Sequence, residues 1–254
     1  MGTLLGMANS ISRRRALTTI GGAVGLGTLL AACSGDDDST DASTPNSETS
    51  ATTTPTTDVP TTASATTNEL FDEAASCTLT AEQTEGPFYV DVDSIRSDIR
   101  EDREGSPLRL AVRVLDAACA PVSNAVVDIW HCDAQGDYSA FEQGGGAGTT
   151  FLRGAQVTNN EGAVEFTTIY PGAYQGRTVH IHAKVHLDNT TALTTQFYFD
   201  DDFTDAVFER AGYPAAEQSR MTNADDTIFD ASLLLTLSEE GDGTLAVMTC
   251  NVAV

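Results

Sequence analysis

The clearest pattern in the chain lies in its second half, where apolar and polar residues alternate in short runs. Leu108–Leu115 reads L-R-L-A-V-R-V-L, the two-residue period of a strand with one buried face. Ala125–Trp130, Ala163–Ile169, Thr178–Leu187, Thr194–Phe199, Ile228–Leu237 and Thr244–Val252 read as further strands, with turn formers between them. Ala117–Pro121 predicts a turn after the first strand, and Asp205–Ala211 is the best short helix, with Thr204 as its N-cap. Many short strands and little helix predict an all-β fold: an antiparallel β-sandwich core with long loops and one or two short helices. No internal repeat and no Gly-rich phosphate loop interrupts this pattern.

The first 76 residues lack such alternation. Residues 1–33 carry three arginines and no acid, and Arg13-Arg14-Arg15 lead into a Gly-rich apolar run from Ala16 to Ala32. That run is too short and too broken by glycine for a stable membrane span, so it reads as an export signal. Ser12-Arg13-Arg14 resembles a twin-arginine signal, and Leu30-Ala31-Ala32-Cys33 resembles a lipoprotein cleavage site that leaves a lipid on Cys33. Residues 34–76 hold 22 Ser, Thr or Pro and nine acids without a base. Such a segment has too little apolar surface to offset its ordering entropy and is expected to be a flexible spacer. The remaining 178 residues, 77–254, form one domain of ordinary size.

Charge removes several partners. The formal net charge is −24, and residues 77–254 alone hold 28 acids against 10 bases. Phosphate backbones need a basic stripe, so nucleic acid is excluded, and contact with a membrane is expected only through the lipid on Cys33. Export places Cys77, Cys119, Cys132 and Cys250 where disulfides form, and an even count suits two bridges. Cys119 and Cys132 make a poor pair, because an extended 126–130 segment would carry them apart.

Candidate chemistry is concentrated between residues 130 and 200. His180-Ile181-His182 falls inside a predicted strand, where positions i and i+2 share a face and two imidazoles can converge on one metal ion. His186 shares that face but lies too far along for the same ion. Tyr174 precedes His180 on a loop after Pro171-Gly172, and Tyr138 sits in the turn Gln135-Gly136-Asp137-Tyr138 just beyond a strand. Trp130 reads as core packing, and His131 has no assigned role.

The segments AVVDIWHCDAQGDYSAF, TIYPGAYQGRTVHIHAKV and TTQFYF resemble, in order and layout, the intradiol ring-cleavage dioxygenases, the family of protocatechuate 3,4-dioxygenase and catechol 1,2-dioxygenase. TEGPFYV at 84–90 resembles a strand entering that fold. The resemblance implies a non-haem Fe(III) held by Tyr138, Tyr174, His180 and His182. It implies a small-molecule catechol and O2 as substrates, cleavage between the two hydroxylated carbons, and a muconate-type diacid as product. Tyr174 would leave the metal and take up a substrate proton, Arg177 would hold developing negative charge, and Gln196 would border the pocket. Phenolates are hard anionic donors that favour Fe(III), which agrees with that ligand set.

Two departures bear on specificity. The stretch from Tyr174 to His180 is shorter than in well-known relatives, and Gln175-Gly176 stands where they carry Pro-Trp, which points to a more open pocket for bulkier catechols. The spacer also leaves no room for the helical dimerisation domain of catechol 1,2-dioxygenases. Two rival classes are a lipid-anchored binding module with a non-catalytic metal site and a zinc hydrolase using His180, His182 and a carboxylate.

Overall fold

The computed structural model describes residues 69–71, 77–142, 145–174, 176–188, 190–210, 212–214 and 220–254. The export signal expected over 1–33 lies outside the described residues, as does the spacer over 34–76 apart from a 3-10 turn at Glu69–Phe71.

Eight strands are described: β1 (Pro107–Asp116), β2 (Val126–Trp130), β3 (Arg153–Val157), β4 (Ala163–Ile169), β5 (His180–Leu187), β6 (Thr190–Tyr198), β7 (Thr236–Glu240) and β8 (Gly243–Val252). They form two four-stranded sheets, in the orders β4-β1-β8-β7 and β3-β2-β5-β6. The expected all-β sandwich is what the chain adopts. Leu110, Val112 and Val114 of β1, Phe166 of β4 and Ala246 of β8 pack in one apolar core with Val127, Ile129, Ile181, Val185 and Phe197 of the other sheet. These side chains take alternate positions along their strands, so the period-2 pattern builds the interior directly.

The alternate faces of the two sheets differ. On β1, Arg109 points outward and bonds Glu165 of β4 at 3.0 Å and Glu240 of β7 at 2.6 Å, all three partly exposed. On β5, the outward positions are His180, His182 and Lys184, yet the strand is buried from His180 to Val185. A sheet buried on both faces needs a cover. Here the cover comes from loops rather than helices: residues of 84–90, 132–141 and 170–178 lie on the outer face of the second sheet.

The structure corrects several expectations. Between the eight strands the pairing is antiparallel except for β1 and β8, which run parallel. These are the first and last strands, so the rest of the domain supplies the long connection that a parallel pair requires. The helix is α1 (Asp201–Phe208), capped by Asp200, whose side chain accepts from Phe203 N, and not Asp205–Ala211 capped by Thr204. Thr204 is instead buried inside it, bonded to Tyr170. The stretch 228–237 is a strand only from Thr236, after a 3-10 turn at Ala231–Leu233 whose N–H groups are turned toward Asp230. Residues 84–90 form no strand, because Gly86 takes φ +73° and Pro87 lacks an N–H to pair. β3, with Gly154 and too few apolar positions to alternate, carried no sequence signal.

Among the described residues one disulfide forms, Cys77–Cys119, pinning the start of the domain to the turn after β1. Cys132 and Cys250 remain thiols. Cys250 packs within the sandwich core, whereas Cys132 packs with Trp130 and Tyr138 in a separate cluster, so the second expected bridge has no geometry to form.

Candidate metal centre

The outward residues of β5 and their cross-strand partners set the floor of the site. His182 stands opposite Trp130 on β2 and Gln196 on β6, and His180 stands opposite Tyr198. The Trp130 indole stacks on the His182 ring at 4.9 Å and 5°. That places Trp130 against the histidine rather than in the sandwich core. His180 is fixed differently. Its Nδ1 donates to the Thr178 carbonyl at 2.7 Å, and since a carbonyl only accepts, Nε2 is left with its lone pair free.

Two loops bring the tyrosines over this floor. Gly172 donates to the Asp133 carbonyl, and a Cβ on it would lie 2.4 Å from the Ala134 oxygen. Gly136, at φ +90°, would place a Cβ 2.5 Å from the Ala173 oxygen. Only glycine permits so close an approach of the two backbones. The consequence is that Tyr138 and Tyr174, 36 positions apart, meet with ring centroids at 5.6 Å. Phe88, from the segment that crosses the sheet, stacks on Tyr138 at 4.4 Å and meets Tyr174 edge-on.

Three donor atoms then converge. The Tyr174 hydroxyl lies 3.2 Å from His180 Nε2, and His180 Nε2 lies 3.1 Å from His182 Nε2. Two nitrogens about 2.1 Å from one ion span such a distance at roughly a right angle. The Tyr138 oxygen is buried without a protein hydrogen-bond partner, as is His182 Nδ1. Burial holds His180 neutral, with its pKa down at about 3 and the Arg177 charge pushing the same way. Burial and then His180 depress His182. Both phenols are raised by burial, with Arg177 partly opposing the rise at Tyr174. Clustered lone pairs and an orphaned phenol are costly in a site without charge compensation. A cation reverses that cost by favouring phenolate and neutral imidazole at once. The residues present therefore fit a metal ion, and two phenols with two imidazoles suit a hard, high-valent one. Among the described residues no group of three or more His, Cys, Asp and Glu side chains is placed to hold a metal.

Arg177 and Gln196 flank this cluster. Arg177 donates from Nη2 to Gln196 Oε1 at 2.6 Å and to the Tyr198 oxygen at 3.2 Å, and from Nε to Asp226 at 2.8 Å. Gln196 Nε2 in turn donates to the Thr84 carbonyl. All six sequence-derived positions thus gather in one place. His186 does not join them; it is half-buried and pairs with Thr191. His131 lies behind the site, donating from Nδ1 to the Cys132 carbonyl and accepting at Nε2 from Thr168 of β4. Sequence reasoning missed Tyr198, which its two-residue spacing from Gln196 signals, and Asp226, which no local pattern marks. Beside the tyrosines a cleft of about 330 Å³ opens between Pro87, Phe88, Asp137, Phe141 and the two phenol rings.

A family model described as Dioxygenase matches residues 84–218, which include every residue of the cluster. The structure is similar to an intradiol ring-cleavage dioxygenase from Tetranychus urticae, with a TM-score of 0.66 and 31% identity over 70% of this chain and 95% of that one. It is also similar to the dioxygenase domain of a dioxygenase–carbohydrate-binding fusion from Streptomyces sp. SirexAA-E, with a TM-score of 0.55, 30% identity, and coverage of 70% and 99%. In sequence it is 31% identical to catechol 1,2-dioxygenase 1 of Acinetobacter lwoffii over 63% of this chain, and spans 61% of that protein's length. Since the matched region carries the tyrosine and histidine cluster and overlays a relative almost end to end, this chain belongs to the intradiol ring-cleavage dioxygenase family.

Proposed function

We propose that this chain is an exported, lipid-tethered non-haem iron(III) dioxygenase that cleaves catechols between their hydroxylated carbons with O2, giving muconate-type diacids. One observation carries the reading: Tyr174 Oη and His182 Nε2 each lie within 3.2 Å of His180 Nε2, with the orphaned Tyr138 phenol beside them. In this reading Tyr138, Tyr174, His180 and His182 hold the ion. The chemistry ferric iron supplies when bound is Lewis-acid activation of a chelated catecholate toward O2.

The rest belongs to the protein's own side chains. Tyr174 is less buried than Tyr138 and sits on the short loop before β5, so it is the phenol free to swing out and take a substrate proton at its Oη. Arg177, fixed on its Nε and Nη2 edges, offers a permanent charge against the anion that develops on the ring. Phe88 and Tyr138 form a stacked wall that orients an aromatic ring and keeps water off it. The cleft at their edge leaves room for a substituent on that ring, which favours bulkier catechols. Residues 1–33 act as the export signal and 34–76 as the spacer, leaving 77–254 as the catalytic domain on the far side of the membrane.

The test is direct. Iron-loaded protein should be coloured by tyrosinate-to-iron charge transfer and should consume oxygen with catechols, releasing ring-opened diacids. Colour without oxygen uptake would leave a metal-binding module, and a colourless zinc form that hydrolyses esters would leave a hydrolase. Intact-mass analysis of the mature protein should find Cys33 as a lipidated first residue; an uncleaved or unlipidated chain would refute the tether.

A further inference from the structure

Arg177 is held by a residue that lies outside the segment matched by the family model. Asp226 sits eight positions beyond that segment's end, in the turn that follows Thr222. Its side chain is buried, and both oxygens are engaged. Oδ2 accepts from Arg177 Nε at 2.8 Å and from the Thr178 backbone N–H at 3.0 Å, while Oδ1 accepts from the Ile228 N–H at 3.0 Å. Burial works against the charged carboxylate, yet the Ile228 and Thr178 N–H groups and the guanidinium outweigh it and keep the group ionised.

These bonds define the plane of the guanidinium. Asp226 fixes the Nε edge, and Gln196 with Tyr198 fixes Nη2. The same carboxylate also grips Thr178, whose carbonyl orients the His180 ring. Without Asp226 the arginine would keep its charge and its Nη2 bonds but lose the partner that fixes its Nε edge, leaving the guanidinium free to turn about Nη2.

We propose that Asp226 is the positioning residue of Arg177. It reaches 49 positions back to aim the guanidinium at the charge that forms on the substrate. The inference rests on the dioxygenase reading above. Because such an arginine acts on charge absent from the ground state, losing its aim lowers kcat and leaves KM nearly unchanged.

Full-length, iron-loaded Asp226→Asn, Arg177→Ala and the double variant test this, with iron content, thermal midpoint and oxygen uptake on catechol measured for each. Asp226→Asn should bind a full complement of iron, lose about 10- to 100-fold in kcat and shift KM by less than about three-fold. In the Arg177→Ala background it should cost no more than about two-fold further, since both changes remove the same interaction. Asp226→Glu, which keeps the carboxylate, should recover kcat to within about three-fold of the unaltered protein. Undiminished kcat in Asp226→Asn, a further ten-fold loss in the Arg177→Ala background, no recovery in Asp226→Glu, or loss of iron with Asp226→Asn would each overturn the proposal. If the unaltered protein took up no oxygen with any catechol, the dioxygenase reading itself would have failed, and this assignment with it.

Discussion

The two sheets of the sandwich have the same number of strands and the same kind of apolar inner face, but their outer faces serve different ends. On β4-β1-β8-β7 the outer face shows Arg109, Glu165 and Glu240 to solvent as an ion-pair network, which contributes little to stability at such exposure. On β3-β2-β5-β6 the outer face carries His180, His182, Gln196, Trp130 and Tyr198, all buried under loops. Inner faces hold the domain together, and only a covered outer face has the low dielectric in which imidazole, phenol and guanidinium interact strongly. The site is therefore a third layer laid on one sheet, and changes to the two sheets should separate stability from chemistry.

The largest effect is expected at the covered face. His182→Ala or Tyr174→Phe should cost more than about 100-fold in iron affinity or in oxygen uptake, exceeding the loss typical of residues one shell further out. Metal analysis and absorbance check this, and full colour with full turnover in either variant would break the division between the sheets.

Next comes the solvent-facing sheet. Leu110→Ala removes a fully buried side chain from β1 and should destabilise the domain by about 2–5 kcal/mol. Urea unfolding measures that cost. The molecules still folded should bind iron and turn over like the unaltered protein, and a parallel loss of turnover would mean the sheets are coupled.

His131 tests that coupling directly, because it follows β2 and reaches Thr168 on β4 of the other sheet. Burial lowers its pKa to about 4. Between roughly pH 6.5 and 4 the unfolded chain binds a proton at this position that the folded chain refuses, so folding free energy is fully present above pH 6.5 and falls as the solution is acidified. The contribution is on the order of 3 kcal/mol by pH 4. His131→Gln should flatten that part of the acid dependence in metal-free protein, and an unchanged slope would show that His131 is not its source.

Trp130→Phe should do least. A phenyl ring keeps most of the stack on His182, so iron affinity should fall by less than about ten-fold, whereas Trp130→Ala should exceed that. Equal behaviour of the two variants in a metal titration would mean the stack does not hold the histidine.

Much of the site was legible in the residues, and the reason is local. His180 and His182 share a face through the strand period alone, Gln196 lies on the neighbouring strand, and Tyr138, Tyr174 and Arg177 stand beside strands whose alternation is plain. Their roles came from resemblance to a family rather than from spacing. What escaped depends on contacts that span the chain: Asp226 meets Arg177 across 49 positions, and Phe88 meets Tyr138 across 50. The misplaced helix and the segment 84–90 show the same limit, since capping by Asp200 and the turn at Gly86 are decided by what each packs against.

By itself, the sequence determined which residues point into the sandwich and which point out, because a strand's two-residue period needs only the chain's own covalent geometry and the cost of wetting apolar surface. It also determined the strong acidity of the chain, a formal net charge of −24. Only the tertiary structure decided that one outer face is roofed, that Cys77 rather than Cys250 reaches Cys119, and that two glycine-dependent loop approaches set Tyr138 beside Tyr174. Each of these requires segments far apart in the chain to close on one another. No local preference encodes that closure, which is fixed by the packing of the whole domain.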